Sequence, residues 1–442
     1  MKRYSLHLSR GRSLINLMFI LPVFFALIPM SFSPAQSNSA DSLTLKACYG
    51  IAYTNYPTTK QRGYNKTVND LKLKNLNVNY YPQILLKGQT SYQSDVPRMI
   101  FSYPQIQPEI PAKDRYQLTL DLKQNIWDGG TTSSQKIAEQ QQLDIDNKKI
   151  EVELYSLRPK INDLYFSVLL LQEKKSVNEV TYKDIQQRIK ELESRVKNEV
   201  ITPSNLYILQ AQLLQIEQEI RSIDADRTAS LKMLSELIGV QLSENITLAV
   251  PSPDLNNLDL VPGDRPEHRL YSVQQSQFDS YKDVVSTKSI PKFSFIGQAG
   301  FGRPGLNFLD NSFEPFYTVG LSVSWNPINW NQNNNEKQIY DINKKIISTQ
   351  QETFDKNLRV SLEKYKSDIL KFQDLLSKDE EIISLREKIV SSTYSQLQNG
   401  TITSTVYLTE LNNKYQSQLL LETHRLQLIQ AKVNFLTTKG SY

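Results

Sequence analysis

The segment Tyr317-Thr-Val-Gly-Leu-Ser-Val-Ser-Trp325 leads through a five-residue turn into residues 331–399, which contain neither glycine nor proline. In the first segment, apolar residues alternate with threonine, glycine and serine, which predicts a strand with one apolar and one polar face. The second segment predicts one helix, about 100 Å long at about 1.5 Å per residue. Such a strand joined directly to such a helix is unusual in a soluble globular protein.

The predicted helix carries a coiled-coil pattern. Six apolar residues recur at every seventh position, which is the repeat of a coiled-coil seam. We expect this seam to lie between chains, because one pair of long helices in each half of the chain cannot bury both flanks. The six residues are Leu362, Ile369, Leu376, Ile383, Val390 and Leu397.

The first half of the chain contains the same pattern, which predicts two internal structural repeats. Matching residues lie 209 positions apart up to the first strand of each half, and 201 positions apart from the second strand onward. The difference falls in the loop between the strands, where insertions are tolerated. The matched pairs include Pro57 and Pro266, Pro82 and Pro291, Gly88 and Gly297, Tyr116 and Tyr317, Leu120 and Leu321, and Asn198 and Asn399.

The N-terminus predicts a secretory signal peptide over residues 1–40. Four basic residues precede the apolar run 14–30, and small residues follow it, with cleavage expected after Ala35 or Ala40. An uncleaved membrane anchor is the alternative, although the run is short. Removal of the four basic residues lowers the formal net charge from +5 to about +1, so no nucleic-acid partner is predicted.

The predicted organisation is α+β, with the repeats on either side of a connector. Pro159 is expected to kink the first long helix or loosen one of its turns, because proline lacks the amide hydrogen that a helix needs. The predicted bounds are 41–240 for the first repeat, with a hairpin at 83–127, a long helix at 131–198 and a returning helix at 204–238; 241–264 for the connector; and 265–442 for the second repeat, with a hairpin at 292–326, a long helix at 331–399 and a returning helix at 404–438.

The four predicted strands suit a transmembrane β-barrel. Each has about ten residues with an apolar and a polar side, as a transmembrane β-strand requires. Taken alone, this alternation also fits an ordinary antiparallel sheet. Four strands cannot close a barrel and open edges cannot lie in lipid, so the sequence predicts an oligomer of two or three chains. Aromatic residues near the strand ends are expected to form interfacial girdles: Tyr92, Tyr116, Trp127, Phe301, Phe316 and Trp325.

Across nearly all of its mature length, the chain resembles the TolC-type outer-membrane efflux protein family. The resemblance is carried by an ordered set of short motifs together with the duplication. These motifs are Asn55-Tyr-Pro57, Tyr81-Pro82-Gln83, Trp127-Asp-Gly-Gly130, Leu209-Gln-Ala-Gln-Leu213, Arg265-Pro266-Glu267, Ile290-Pro291-Lys292 and Asn399-Gly400-Thr401.

The resemblance implies a homotrimer whose twelve strands form an outer-membrane barrel, continuous with a long periplasmic α-helical barrel. It also implies a passive exit duct of an efflux or type I secretion system, with a periplasmic adaptor protein and an inner-membrane pump as partners. The expected location is the outer membrane of a Gram-negative bacterium, with a helical portion in the periplasm. The alternative is a periplasmic coiled-coil adaptor or scaffold, which would need no strands compatible with lipid.

In such a duct, two helix-joining turns form the periplasmic aperture and dock the adaptor. The family often has an Asp-Val-Leu run after the second turn, but Val406-Tyr-Leu408 stands here, so an apolar or hydroxyl-lined gate is our hypothesis. The expected aperture and docking residues are Val200, Ile201, Thr202, Pro203, Ser204, Gly400, Thr401, Ile402, Thr403, Val406 and Thr409.

The sequence predicts no enzyme, cofactor or metal site. His7, His268 and His424 are too sparse for a metal or acid–base cluster, and no phosphate-binding loop or nucleophile elbow occurs. The carboxylate run Asp379-Glu-Glu381 predicts a solvated helix face. Cys48, the single cysteine, is expected to be an ordinary buried thiol, because Lys46 disfavours a lipoprotein cleavage site.

Overall fold

A computed structural model describes residues 42–97, 110–199, 201–255 and 258–442. The predicted signal peptide lies outside the described residues. No helix within these ranges is both long enough and apolar enough to span a membrane. The elements are α1 Leu45–Asn55, α2 Gln61–Asn77, β1 Gln83–Tyr92, β2 Asp114–Trp127, α3 Thr131–Tyr155, α4 Leu157–Lys197, α5 Pro203–Ile238, α6 Pro266–Ser286, β3 Lys292–Arg303, β4 Glu314–Ser324, α7 Gln332–Gln398 and α8 Ser404–Lys439.

The four strands form one antiparallel sheet in the order β1-β2-β3-β4. The register places Leu86 opposite Leu120, and Leu120 opposite Ala299, so the apolar residues of all four strands share one face. This face is uncovered: Leu86 is 66% exposed and Leu321 is 76% exposed. Among the described strands, β1 and β4 are hydrogen-bonded on one side only.

The opposite face of the sheet is mostly polar, and Phe316 belongs to it. Phe316 alternates with the apolar-face residue Tyr317 and lies opposite Gly300 on β3. A Cβ atom on Gly300 would stand 2.6 Å from the Phe316 ring, so the missing side chain leaves room for the phenyl group. The expectation that Phe316 joins a lipid-facing aromatic girdle is therefore wrong.

The two long helical segments differ in continuity. The first is interrupted at Ser156, between α3 and α4, three residues before Pro159. Proline donates no amide hydrogen and its ring clashes with the carbonyl four residues earlier, here that of Tyr155. In the second half Val360 stands at the equivalent position, and α7 runs unbroken for 67 residues. The predicted effect of Pro159 on the helix is confirmed.

The heptad seam of α7 packs within the chain. Leu362 and Ile369 are 0% and 1% exposed and contact Phe435 and Ala431 of α8 as one cluster. Leu397, at the other end of the helix, is buried with Tyr407, Leu408 and Leu411 of α8. The expectation that this seam lies between chains is wrong, because the returning helix α8 already covers it.

A different stripe of α7 remains uncovered. Within 339–346 and within 382–389 its members are three and four residues apart, the spacing that keeps side chains on one side of a helix. These residues are 39–64% exposed, so a contact between chains would use this stripe and not the seam. The members are Ile339, Ile342, Ile346, Val360, Ile382, Leu385 and Ile389.

Asp379 departs from the predicted solvated face. Its side chain is 6% exposed, and its Oδ2 lies 2.6 Å from Nδ1 of His424 on α8. Glu380 and Glu381 are exposed, as predicted. The heptad pattern places Asp379 beside the seam. Its partner, His424, is 45 positions away in the chain, so the local sequence did not reveal the pair.

The largest core joins α1 to α4, α5 and α8, and Cys48 lies inside it. Leu234, Ile161 and Val433 are each 0% exposed in the same cluster. The hydroxyl oxygen of Tyr165, also 0% exposed, lies 2.7 and 2.6 Å from the backbone carbonyl oxygens of Leu43 and Ala249, so its single proton bridges these two segments. This core therefore attaches the start of the described chain and the connector to the helices.

We expect the Cys48 thiol to be unreactive in the folded protein. The side chain is 0% exposed, and burial raises its pKa to about 12, although a backbone hydrogen bond opposes the shift. Because the thiolate is the reactive form, a disulfide reagent at pH 8 should label Cys48 only after denaturation. The absorbance of the group that the reagent releases, at one equivalent of reagent per thiol, measures the labelling. Rapid labelling of the folded protein would contradict the buried position.

Candidate functional site

The turns α4–α5 and α7–α8 lie side by side and enclose a groove of about 660 Å³. Seven predicted aperture residues line this groove. Val196, Glu199, Asn205 and Leu397 line it as well, although sequence reasoning did not select them. The seven are Ile201, Thr202, Pro203, Gly400, Thr401, Ile402 and Thr403.

The other predicted aperture residues lie elsewhere. Val200 is outside the described residues. Ser204 is exposed at the start of α5, beside Thr202 Oγ1 at 3.1 Å. Val406 and Thr409 are exposed on α8, whereas Tyr407 and Leu408 between them are buried. At these two positions α8 therefore presents an aliphatic and a hydroxyl group to solvent, and neither residue is a carboxylate.

The two turns achieve the same backbone conformation with different residues. Gly400 has φ +71°, and Glu199, at the equivalent position of the first turn, has φ +62°. Glycine adopts this left-handed region freely, whereas an L residue with a Cβ atom does so at a cost of about 1 to 2 kcal/mol. The first turn therefore contains backbone strain that the second turn avoids.

We expect Glu199→Gly to stabilise the first turn by about 1 kcal/mol, because the strain disappears. Gly400→Ala should destabilise the second turn by a similar amount. A Cβ atom at Gly400 meets nothing within 4 Å, so the backbone alone would cause this loss. Amide hydrogen exchange of the last turn of α4 and of α7 measures both changes. Equal exchange in the wild type and both variants would contradict the assignment of strain.

Direct contacts join the α4–α5 hairpin to the α7–α8 hairpin near the turns. Arg195 Nη1 donates to the carbonyl oxygen of Gln398 at 2.5 Å, and the Tyr394 hydroxyl donates to the Glu191 carboxylate. The Arg188 guanidinium lies 3.7 Å from the centre of the Tyr394 ring. Separation of the two hairpins would have to break these contacts, and we name Arg188, Glu191, Arg195, Tyr394 and Gln398 the latch.

Tyr407 lies behind the latch without a hydrogen bond of its own. Its hydroxyl is buried and has no hydrogen-bond partner among the described residues. Burial raises the Tyr407 pKa to about 12, and the nearby positive charge of Arg188 opposes that shift. The phenol is therefore neutral at physiological pH, and its ring, 5.5 Å from that of Tyr394, acts as packing.

Sequence reasoning missed the latch because its partners are distant. Tyr394 and Glu191 are separated by 203 positions, as are Arg195 and Gln398. Each residue on its own resembles any polar residue of a solvated helix. Only the packing of one hairpin on the other brings them together.

A second polar arrangement lies on the uncovered polar face of the sheet. Lys87 Nζ is 2.6 Å from Asp121 Oδ2, and Gln298 Nε2 donates to Asp121 Oδ1 at 2.7 Å. Lys123 is exposed on the same face. No group of three or more His, Cys, Asp or Glu side chains in the described ranges has a placement that could hold a metal ion.

Solved structures of outer-membrane proteins, two of them channels, have the same fold. VceC from Vibrio cholerae matches with a TM-score of 0.62 at 13% identity, over 90% of this chain and 96% of that one. The Campylobacter jejuni CmeC channel matches with a TM-score of 0.57 at 14% identity, over 91% and 86%. The open Neisseria gonorrhoeae MtrE channel matches with a TM-score of 0.60 at 12% identity, over 90% and 88%.

The resemblance to TolC-type channels is thus confirmed at the level of the fold. Sequence comparisons add nothing to it: no protein-family model matches the chain, and no curated protein sequence matches it either.

Proposed function

We propose that the chain is the outer-membrane exit duct of a tripartite efflux or type I secretion system. The observation that carries this proposal is the uncovered apolar face of the sheet. Water would oppose the exposure of Leu86, Leu321 and their neighbours, whereas lipid would cover them. The fold shared with solved outer-membrane proteins supports the same assignment and supports a location in the outer membrane of a Gram-negative cell.

The barrel that we propose is closed by three chains. One chain supplies four strands with edges at β1 and β4, and open edges cannot remain unpaired in lipid. Pairing of β4 with β1 of the next copy closes a ring of twelve strands around a common axis. The polar face then lines the lumen, and the two halves of each chain act as structural repeats of one unit.

The helices form the periplasmic part of this duct, and its entrance lies at the two turns. We propose that the groove residues dock a periplasmic adaptor, which connects the duct to an inner-membrane pump. The duct conducts passively and needs no catalytic residue, because the pump supplies the energy. Opening requires the two hairpins of each chain to separate, so the latch holds the entrance closed.

The gate in this proposal is formed by Val406 and Thr409, without a ring of carboxylates. A divalent cation binds oxygen ligands, carboxylates above all, and neither residue supplies a charged one. Millimolar Mg²⁺ or Ca²⁺ should therefore leave the single-channel conductance unchanged. Strong block by either ion would contradict this gate.

Fractionation of cells tests the proposed function against the alternative of a soluble periplasmic adaptor or scaffold. An outer-membrane duct should remain in the outer-membrane fraction without detergent. It should also migrate as a trimer that heat dissociates, because the ring of strands closes only between chains. Release of the protein in soluble form by osmotic shock would reject the duct and favour the adaptor or scaffold.

A further inference from the structure

The charges of the sheet are concentrated on one face, and most of them are positive. The register assigns four cationic residues and two carboxylates to the polar face: Lys87, Arg115, Lys123, Lys292, Asp121 and Glu314. The apolar face has only one cation and one carboxylate in the sheet, Arg303 and Asp114. These two are 3.3 Å apart at the strand ends and cancel each other.

The two carboxylates of the polar face do not neutralise the positive charge at the centre of that face. Asp121 is engaged by Lys87 at 2.6 Å, and Glu314 lies at the end of β4. Lys123 is exposed, and no ion pair of the described residues includes it. Arg115 has a buried Nε atom without a hydrogen-bond partner in the described part of the chain. An excess of positive charge therefore remains along β2.

We propose that the barrel lumen selects anions, so that the solutes it conducts best carry net negative charge. The inference rests on the proposed function, since only a closed barrel turns the polar face into a lumen. Three copies place twelve cationic groups and six carboxylates on the lining, which gives each chain a net charge of +2 on this face. Rings of lysine and arginine concentrate anions in a pore and repel cations.

The turn between α7 and α8 adds no charge that would oppose the positive potential of the polar face. Residues 399–409 contain no charged side chain, so the proposed gate adds no cation preference. The first turn carries one carboxylate, Glu199, against the net charge of +2 that each chain places on the polar face of the sheet. The charge of the sheet acts most strongly at low ionic strength, where the Debye length is about 30 Å at 0.01 M salt. At about 1 M salt the Debye length is about 3 Å, and the selectivity should vanish.

The zero-current potential of the purified trimer in a planar lipid bilayer tests this inference. Across a tenfold KCl gradient with about 0.01 M on the dilute side, chloride should permeate at least about twice as readily as potassium. Lys123→Glu should lower the chloride-to-potassium ratio at least about twofold or reverse it. Lys123→Arg keeps both the site and its charge, and should keep the wild-type ratio.

The outcomes separate the inference from the proposed function. Pores that prefer potassium, or equal ratios in Lys123→Glu and Lys123→Arg, would overturn anion selectivity and leave the duct intact. A trimer that forms no pore under any condition would overturn the duct itself. A chloride preference that falls in Lys123→Glu and disappears at high salt supports the inference.

Discussion

Leu321→Arg is expected to remove most of the proposed trimer from the outer membrane. Leu321 lies in the middle of β4 on the apolar face, opposite Phe295, and is 76% exposed in the isolated chain. An arginine on the lipid face of a barrel costs about 2 to 4 kcal/mol near the bilayer midplane. This corresponds to a factor of about 30 to 1000 in the equilibrium constant for insertion of each chain, at 1.36 kcal/mol per factor of ten, and the proposed trimer carries three such arginines.

Thr318→Arg provides the matched control for this prediction. Thr318 lies on the same strand, three residues away, but on the polar face and opposite Gln298. An arginine there enters the proposed lumen and keeps its hydration, so the amount of trimer should stay close to that of the wild type. Quantifying the heat-dissociable trimer in outer-membrane fractions compares the two variants. Equal amounts in both would show that the apolar face does not lie in lipid.

Tyr394→Phe is expected to open the proposed duct more often. The substitution removes the hydrogen bond to the Glu191 carboxylate and keeps the ring beneath the Arg188 guanidinium. Hydrogen bonds to charged groups contribute about 1.5 to 3 kcal/mol, but the Glu191 side chain is 38% exposed, so we expect about 1 to 2 kcal/mol here. The ratio of open to closed entrances should rise about 5-fold to 30-fold.

Tyr407→Phe is the matched control for the latch. It removes a hydroxyl from the neighbouring ring, but that hydroxyl has no hydrogen-bond partner among the described residues. The ring that packs against Tyr394 is kept, so the open probability in planar bilayers should stay close to that of the wild type, although the hydroxyl lies beside Arg188. If Tyr394→Phe behaves like Tyr407→Phe, the contact between Tyr394 and Glu191 does not hold the entrance closed.

Local pattern indicated the faces of the strands and the continuity of the long helices. The alternation in 317–325 marked one side of β4 as apolar, since successive side chains of a strand point to opposite sides. The absence of proline after Asn331 predicted the unbroken helix α7, and Pro159 predicted the interruption of its counterpart. Such features depend on residues within one or two turns of each other.

The site was only partly accessible from sequence. The turn residues were predictable, because proline, threonine and glycine mark the breaks between long helices. The latch was not predictable, since each of its contacts joins residues about 200 positions apart.

The sequence by itself determined that the strands have an apolar face and that α7 has a seam, because periodicity shows that such faces exist. It did not determine what covers them. The tertiary structure decided that α8 covers the seam and that Phe316 packs over Gly300 on the polar face. The physical reason is that burial is a property of pairs of surfaces, and the partner of a surface need not be near it in the chain.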